Sequence, residues 1–153
     1  MSKSTFVYVT FIRTTPERLW TALTDAEFMR SYWFGMHCES DWQAGSPWKL
    51  TFVDGRVADQ GGIVEADPPR RLVIRWRNAW NPEMEAEGDS LCTFEIEPVP
   101  EADPPAVKLS VTHGMDKPES KFIAAVSGGW PRILSNLKSL LETGEVVLKP
   151  SAH

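Results

Sequence analysis

The tryptophans are the residues of this sequence best suited to recognise a ligand. Seven of the 153 residues are tryptophan, which is more than a core of this size requires. Large rigid rings can line a hollow, and each indole N–H supplies a polar group inside it. For any single tryptophan, ordinary core packing is the better interpretation. The choice between a lined cavity and a packed core therefore depends on how the elements of the chain arrange the whole set.

His113 is the one histidine whose position suggests a specific role. It continues the inward-facing alternation of Val107, Leu109 and Val111 at the end of the last predicted strand. An imidazole there could hydrogen-bond a ligand or titrate near neutrality. The alternative is a structural histidine that ties the strand end to a backbone group in the turn at 114–116. The sequence leaves both interpretations open.

A metal site is not expected from the histidines and cysteines. His37 and Cys38 are neighbours, so in a strand their side chains point to opposite faces and do not share one ion. Cys92 is alone in its predicted strand, and His153 stands at the end of the sequence. Because no tetrahedral ligand spacing is present, we predict neither a metal nor a cofactor.

The remaining reactive side chains do not form a catalytic pattern. Arg75, Arg77, Glu95 and Glu97 are all out of phase with the apolar residues of their strands, which indicates cross-strand ion pairs on a solvated face. Ser127 precedes two glycines, but the strand–turn–helix context of a nucleophile elbow is missing. We therefore predict no catalytic residue, and nothing in the sequence requires an enzyme.

These groups must be positioned by a long helix near the C-terminus, predicted over residues 118–144. Its apolar residues recur at steps of three and four, the spacing of one helical stripe. Asp116 and Glu119 are the predicted capping pair at its start, and Gly144 is the predicted C-terminal cap. The stripe consists of Phe122, Val126, Trp130, Ile133, Leu137, Leu140 and Leu141.

Pro131 predicts a defect within this helix. It has no N–H for the carbonyl of Ser127, and its ring crowds the preceding turn. Gly128 and Gly129 lie beside it. A kink or short break is therefore expected at 127–130, either as a bend that follows a curved sheet or as a hinge that opens a cavity beneath Trp130.

The rest of the chain is predicted to form short strands. Residues 5–13 are β-branched and aromatic on both faces, so their composition indicates a strand without showing which face is buried. Two short helices should follow, beginning after Thr15 and Asp25. The later strands alternate apolar and polar residues, which indicates one buried face. Their inward-facing residues are predicted to be Trp48, Leu50 and Phe52; Leu72, Ile74 and Trp76; Cys92, Phe94 and Ile96; and Val107, Leu109, Val111 and His113.

The predicted fold class is α+β, with six or seven antiparallel strands around the long helix, in a single domain over residues 1–153.

The net charge is −5 and the basic residues are scattered, which disfavours a nucleic-acid partner. No signal peptide or membrane span is evident in the sequence, so no membrane partner is expected. The two cysteines provide no disulfide framework, and a cytoplasmic location is the expectation.

Three blocks of the sequence resemble a known family when they are taken together and in order. They are TTPERLWTALTDAEFMRSYWFG, GIVEADPPRRLVIRW and SGGWPRILSNLKSLLETG. They resemble the activator-of-Hsp90-ATPase-homologue (AHSA1-like) branch of the START-related, Bet v 1-like superfamily, and the resemblance covers nearly the whole chain. It implies a helix-grip fold, in which a curved antiparallel sheet surrounds a C-terminal helix and often encloses an apolar cavity.

With this resemblance, the set of tryptophans favours a ligand-sized cavity between the sheet and the long helix. A ligand would be held mainly by apolar contact, and His113 or an indole N–H would fix its orientation. The predicted lining residues are Trp33, Trp48, Phe52, Trp76, Trp80, His113, Phe122, Val126 and Trp130.

Three functions therefore compete. The first is the binding of a small hydrophobic molecule, aromatic or acyl, in the cavity. The second, which the family name implies, is an interaction module that acts on a chaperone. Full Hsp90 activators carry a further N-terminal domain for which this chain has no room before Thr5, so ATPase activation is less expected. The third is a cavity enzyme of the cyclase or hydrolase kind.

Weak homodimerisation is also predicted, from the apolar first strand and from Trp42, which lies outside any core pattern.

Overall fold

The structure is a computed structural model that describes residues 3–149. Met1, Ser2 and residues 150–153, which include His153, lie outside the described residues. The elements in chain order are β1 (Ser4–Ile12), α1 (Pro16–Thr24), α2 (Ala26–Tyr32), β2 (His37–Ser40), β3 (Pro47–Thr51), β4 (Val57–Asp67), β5 (Arg71–Asn78), α3 (Pro82–Ala86), β6 (Ser90–Pro98), β7 (Val107–Met115) and α4 (Lys121–Thr143).

The strands form one seven-stranded antiparallel sheet in the order β1-β7-β6-β5-β4-β3-β2. Most of the buried apolar side chains of the sheet and of α4 belong to a single core cluster. Leu134, Leu137 and Leu141 are among the α4 residues in this core. The predicted α+β helix-grip fold is confirmed, including the two short helices after the first strand. None of the helices in the described part of the chain is long and apolar enough to cross a membrane.

The two short helices begin where the sequence predicts. Thr15 is the N-cap of α1, and its side-chain oxygen accepts a hydrogen bond from the backbone N–H of Arg18 at 3.2 Å. Asp25 is the N-cap of α2 and accepts from the N–H of Phe28 at 3.0 Å. In both helices the cap satisfies a first-turn N–H that has no partner within the helix.

The start of α4 differs from the prediction. Its N-cap is Ser120, whose Oγ accepts from the N–H of Ile123 at 3.0 Å. Glu87, from the loop after α3, accepts from the N–H of Lys121 at 2.9 Å. Asp116 instead pairs with Lys3, and Glu119 has a φ of 52° just outside the helix. The predicted capping pair is therefore wrong, because a carboxylate distant in the sequence occupies the helix N-terminus.

Of the two further predictions for α4, the structure confirms the C-terminal cap but does not show a break at the proline. Gly144 has a φ of 85° and donates its N–H to the carbonyl of Leu140 at 2.9 Å, so the predicted cap is confirmed. The helix continues without interruption from Lys121 to Thr143 with Pro131 inside it. Of the two predicted alternatives at 127–130, a kink or a short break, the short break is therefore absent.

The structure shows which face of β1 is buried. Val7, Val9 and Phe11 are exposed by 58%, 46% and 55%, whereas the alternate residues face the core. Strand β1 is also an edge of the sheet, since it pairs only with β7. Trp42, in contrast, is half-buried and packs against the core, so it does not contribute to this exposed apolar face.

Candidate functional site: the cavity between the sheet and α4

An apolar cavity of about 180 Å³ lies between the sheet and α4. An apolar cavity of roughly 150 Å³ can hold a benzene molecule, so this volume suits a single ring or a short acyl chain. Strands β3, β4 and β5 form one side, and the first half of α4 forms the other. The lining residues are Trp33, Met36, Leu50, Asp59, Trp76, Asn78, Trp80, Met84, Phe122, Ala125, Val126, Gly129, Trp130 and Ile133.

Three tryptophans form a continuous aromatic wall of the cavity. The ring centroids of Trp33 and Trp130 are 5.4 Å apart, those of Trp76 and Trp130 are 5.7 Å apart, and those of Trp33 and Trp76 are 6.0 Å apart. These separations are typical of favourable aromatic pairs. Trp80 is 51% exposed, so it lies where the cavity meets solvent.

The predicted lining residues divide into two groups. The cavity brings together Trp33, Trp76, Trp80, Phe122, Val126 and Trp130, whereas Trp48, Phe52 and His113 do not line it. Trp48 lies behind the wall, with its ring centroid 4.3 Å from that of Trp76. Phe52 follows the end of β3, where the chain turns and the N–H of Gly55 donates to the Phe52 carbonyl. Its ring packs edge-on against Trp80, with the centroids 6.1 Å apart.

His113 is fully buried, and both of its ring nitrogens have partners. The indole N–H of Trp130 donates to Nδ1 at 3.1 Å, and Nε2 lies 2.8 Å from Ser90 Oγ. Because an indole nitrogen can only donate, Nδ1 must accept, and the imidazole proton is on Nε2. Ser90 then donates its hydroxyl proton to the backbone carbonyl of Trp76 at 2.8 Å. The chain of hydrogen bonds ties β7 to α4 and, through β6, to β5.

This network leaves His113 without a free nitrogen for a ligand or a reaction. Burial lowers the pKa of His113 to about 3, so the imidazole is neutral near pH 7. The proton of Ser90 is committed to a carbonyl, so the Ser90–His113 pair is not a nucleophile–base pair. The histidine has a structural role, although it connects strand to helix rather than strand to turn. Ser90 was not singled out in the sequence, where it is one serine beside a turn.

Among the lining residues that the sequence analysis did not identify, Asp59 is the ionisable one. It lies on β4 directly opposite Asn78 of β5 and is only 9% exposed. Its Oδ1 has no hydrogen-bond partner, and none of the basic residues in the described part of the chain forms an ion pair with it. It is also the only ionisable residue among those that line the cavity.

The environment of Asp59 favours its neutral form. Burial raises its pKa to about 6, and the nearby indole N–H of Trp76 lowers the pKa by less than burial raises it. The Trp76 N–H has no hydrogen-bond partner of normal geometry, so the two groups are neighbours that do not satisfy each other. An unsatisfied buried carboxyl group is costly. Its presence in a largely apolar cavity is therefore the strongest chemical feature of the site.

A larger open groove, of about 950 Å³, lies beside β2 and β3. Most of its charged side chains pair with one another: Glu39 with Lys49 at 3.5 Å, and Asp89 with Arg75 and Arg77 at 3.9 Å. Surface pairs of this kind contribute little to stability. The lining residues of the groove therefore do not include an unpaired buried carboxyl group of the kind that distinguishes the smaller cavity.

The cysteines and histidines of the described residues do not form a common site. Both Cys38 and Cys92 are buried free thiols, and burial raises the pKa of Cys38 to about 12. His37 contacts Glu39 at 3.2 Å. Within residues 3–149, no group of three or more potential metal ligands is arranged around one point.

Comparison with known proteins identifies the family. The family model described as activator of Hsp90 ATPase homolog 1-like protein matches residues 13–142, which is most of the chain. The chain belongs to this AHSA1-like family. Among curated proteins, no sequence matches it.

Several solved structures share the fold of this chain. A protein from Mesorhizobium loti has 23% identity and a TM-score of 0.75, over 90% of this chain and 96% of that one. An HSP90 activator from Plasmodium falciparum has 23% identity and a TM-score of 0.72, over 90% and 96%. The Aha1 dimer from Colwellia psychrerythraea has 18% identity and a TM-score of 0.72, over 92% and 97%.

Proposed function

We propose that this protein binds a small hydrophobic molecule, a single ring or a short acyl chain, in the cavity between the sheet and α4. The observation that carries the proposal is an apolar cavity of about 180 Å³ that opens to solvent beside Trp80. Removal of apolar surface from water supplies roughly 25 cal/mol per Å², so aromatic walls on several sides give a small ligand useful affinity. The ligand would be oriented by the few polar groups that face the cavity.

Two adjacent glycines of α4 provide a matched test of this proposal. Gly129 lines the cavity, whereas Gly128 is exposed on the outer side of the helix. A Cβ at either position meets nothing within 4 Å, and both substitutions gain helix propensity of about 1 kcal/mol. Gly129→Leu should fill the cavity and abolish binding, while Gly128→Leu should leave binding unchanged.

The measurement is titration of a panel of single-ring and short-chain compounds, followed by tryptophan emission and by melting temperature. Wild type and Gly128→Leu should respond to the same compounds, and Gly129→Leu should respond to none. If the panel changes neither signal in the wild type, the tryptophans are core residues only and the proposal is wrong.

A second candidate function is contact with a chaperone. Membership of the AHSA1-like family and the shared fold of the Plasmodium falciparum HSP90 activator favour it. That likeness covers 96% of the activator's chain, so this fold alone is compatible with such a role. Native mass spectrometry of the freshly purified protein separates the candidates, since a retained small molecule supports the cavity and a retained chaperone supports the interaction module.

We also propose weak self-association through β1, an apolar edge strand. The Colwellia psychrerythraea neighbour was solved as a dimer, and here the outer side of β1 presents Val7, Val9 and Phe11 to solvent. A second copy would cover these side chains. Exposed apolar surface of this kind is characteristic of protein contacts.

A further inference from the structure

We propose that the cavity selects a small organic cation, a protonated amine on a single ring or short alkyl body, whose ammonium group binds Asp59. The proposal rests on the proposed function, because it names the class of ligand for the same cavity. The observation behind it is the carboxyl group of Asp59, which lines the cavity, is only 9% exposed and has one oxygen without a hydrogen-bond partner.

The other polar groups nearby do not compensate Asp59. The side-chain oxygen of Asn78, its cross-strand neighbour, accepts from the N–H groups of Trp80 and Asn81 at 3.2 and 2.8 Å, and the side-chain N–H groups of Asn78 make no hydrogen bond to Asp59 Oδ1. Both ring nitrogens of His113 are already hydrogen-bonded, one to Ser90 and the other to Trp130. No side chain in the described part of the chain therefore neutralises this carboxylate. A bound cation would do so, whereas a purely apolar ligand would leave it unpaired and an anionic ligand would be repelled.

The walls of the cavity suit the same ligand. Trp33, Trp76 and Trp130 all line the space, and their rings pack against one another with centroids 5.4–6.0 Å apart. A cation over the face of such a ring, within about 6 Å of its centroid, is attracted by the ring quadrupole, and cages of aromatic rings recognise ammonium groups in this way. A carboxylate beside an aromatic wall thus provides both an ion pair and cation–π contacts, while the apolar body of the ligand fills the remaining volume.

The test compares compounds that share one ring and differ in one group: benzylamine, benzyl alcohol, toluene and benzoate. Binding is measured by calorimetry and tryptophan emission at pH 7.5. A hydrogen bond to a charged group contributes about 1.5–3 kcal/mol, so benzylamine should bind roughly ten- to a hundredfold more tightly than toluene. Benzoate should bind most weakly.

Two variants localise the effect. Asp59→Asn should remove the advantage of benzylamine over toluene while toluene binding is retained. Asp116→Asn makes the same charge change on a side chain that is 86% exposed, and it should preserve the advantage.

The remaining outcomes contradict the inference in distinguishable ways. Equal affinities for benzylamine and toluene would overturn the cation preference and leave the apolar cavity function standing. Tightest binding of benzyl alcohol would overturn it in favour of a neutral ligand that pairs with both Asp59 and the Trp76 N–H. Absence of binding by every compound would contradict both proposals together.

Discussion

Two buried ionisable side chains, Asp59 and His113, illustrate opposite solutions to the same problem. Both are desolvated, so both favour their neutral forms. His113 is satisfied, because Trp130 and Ser90 use its two ring nitrogens. Asp59 keeps an oxygen without a partner. We infer that the histidine stabilises the fold near pH 7, whereas the aspartate costs stability there and is better explained by binding.

The two residues also affect stability over different pH ranges. The pKa of His113 is lowered from 6.5 to about 3, so the unfolded chain takes up a proton below pH 6.5 while the folded protein does not, and stability is lost as the pH falls. The pKa of Asp59 is raised from 3.8 to about 6. Its folded form therefore holds a proton that the unfolded chain has lost, and stability declines as the pH rises through that window.

Asp59→Asn should therefore stabilise the protein at neutral and alkaline pH. A rise of the pKa from 3.8 to about 6 corresponds to about 3 kcal/mol. The variant should gain up to this free energy of unfolding at pH 8 and little at pH 4, as measured by urea unfolding at both pH values. A gain that is equal at both would show that ionisation of Asp59 is not its cause. Asp116→Asn is the control, and its stability should follow the wild type closely.

At the scale of elements, the two halves of α4 have different roles: the second half packs in the core, and the first half lines the cavity. Its later residues, Leu134, Leu137 and Leu141, are nearly inaccessible in the core. Its earlier residues from Phe122 to Ile133 border the cavity. The helix remains continuous past Pro131, so the cavity does not result from a break. It arises where Gly129 presents no side chain to the space opposite the sheet.

Leu137→Asp tests whether the second half of α4 is the main anchor of the core. Leu137 is 0% exposed, so the substitution buries an unpaired charge and should cost several kcal/mol. Thermal melting should show a large loss or no folded protein. Ala124→Asp places the same charge on an exposed position of the same helix, and its melting should stay close to wild type. A near-wild-type melting temperature for Leu137→Asp would mean that the stripe does not face a core.

At the scale of the whole molecule, the edge strand β1 has an exposed apolar face. Unpaired edges of exposed strands are frequent sites of association, and proteins usually protect them with charges or prolines. The outer face of β1 instead presents Val7, Val9 and Phe11. The cavity and this face lie on different parts of the molecule, so ligand binding and self-association are expected to be separable by mutation.

Val9→Lys should weaken self-association without affecting the fold. Val9 is 46% exposed, so lysine is tolerated in the monomer but would place a charge within the contact. Sedimentation velocity at high micromolar concentration should show a monomer–dimer equilibrium for the wild type and a monomer for the variant. Val53→Lys makes the same change at a residue that is 81% exposed in a turn, and it should still dimerise. A wild type that is monomeric at that concentration would contradict the proposal.

The local periodicity of the chain was sufficient to predict its architecture. The stripe of α4, the alternation in β5, β6 and β7, and the capping residues Thr15 and Asp25 each depend on neighbours in sequence. Such features survive folding because the burial of one face enforces them. The aromatic wall was also predictable in part, since Trp33, Trp76 and Trp130 lie on elements that must face one another.

Only the tertiary structure decided the chemistry of the cavity. Strand β4 has two glycines and a register shift between Ile63 and Glu65, so it lacks a clean alternation, and a slip of one residue would turn Asp59 outward. The pairing of Asp59 with Asn78 sets its direction. The role of His113 likewise depends on Ser90 and Trp130, which its own strand does not supply. Sequence periodicity specifies which face of an element is buried, but contacts between distant elements determine whether a buried polar group is satisfied or left available to a ligand.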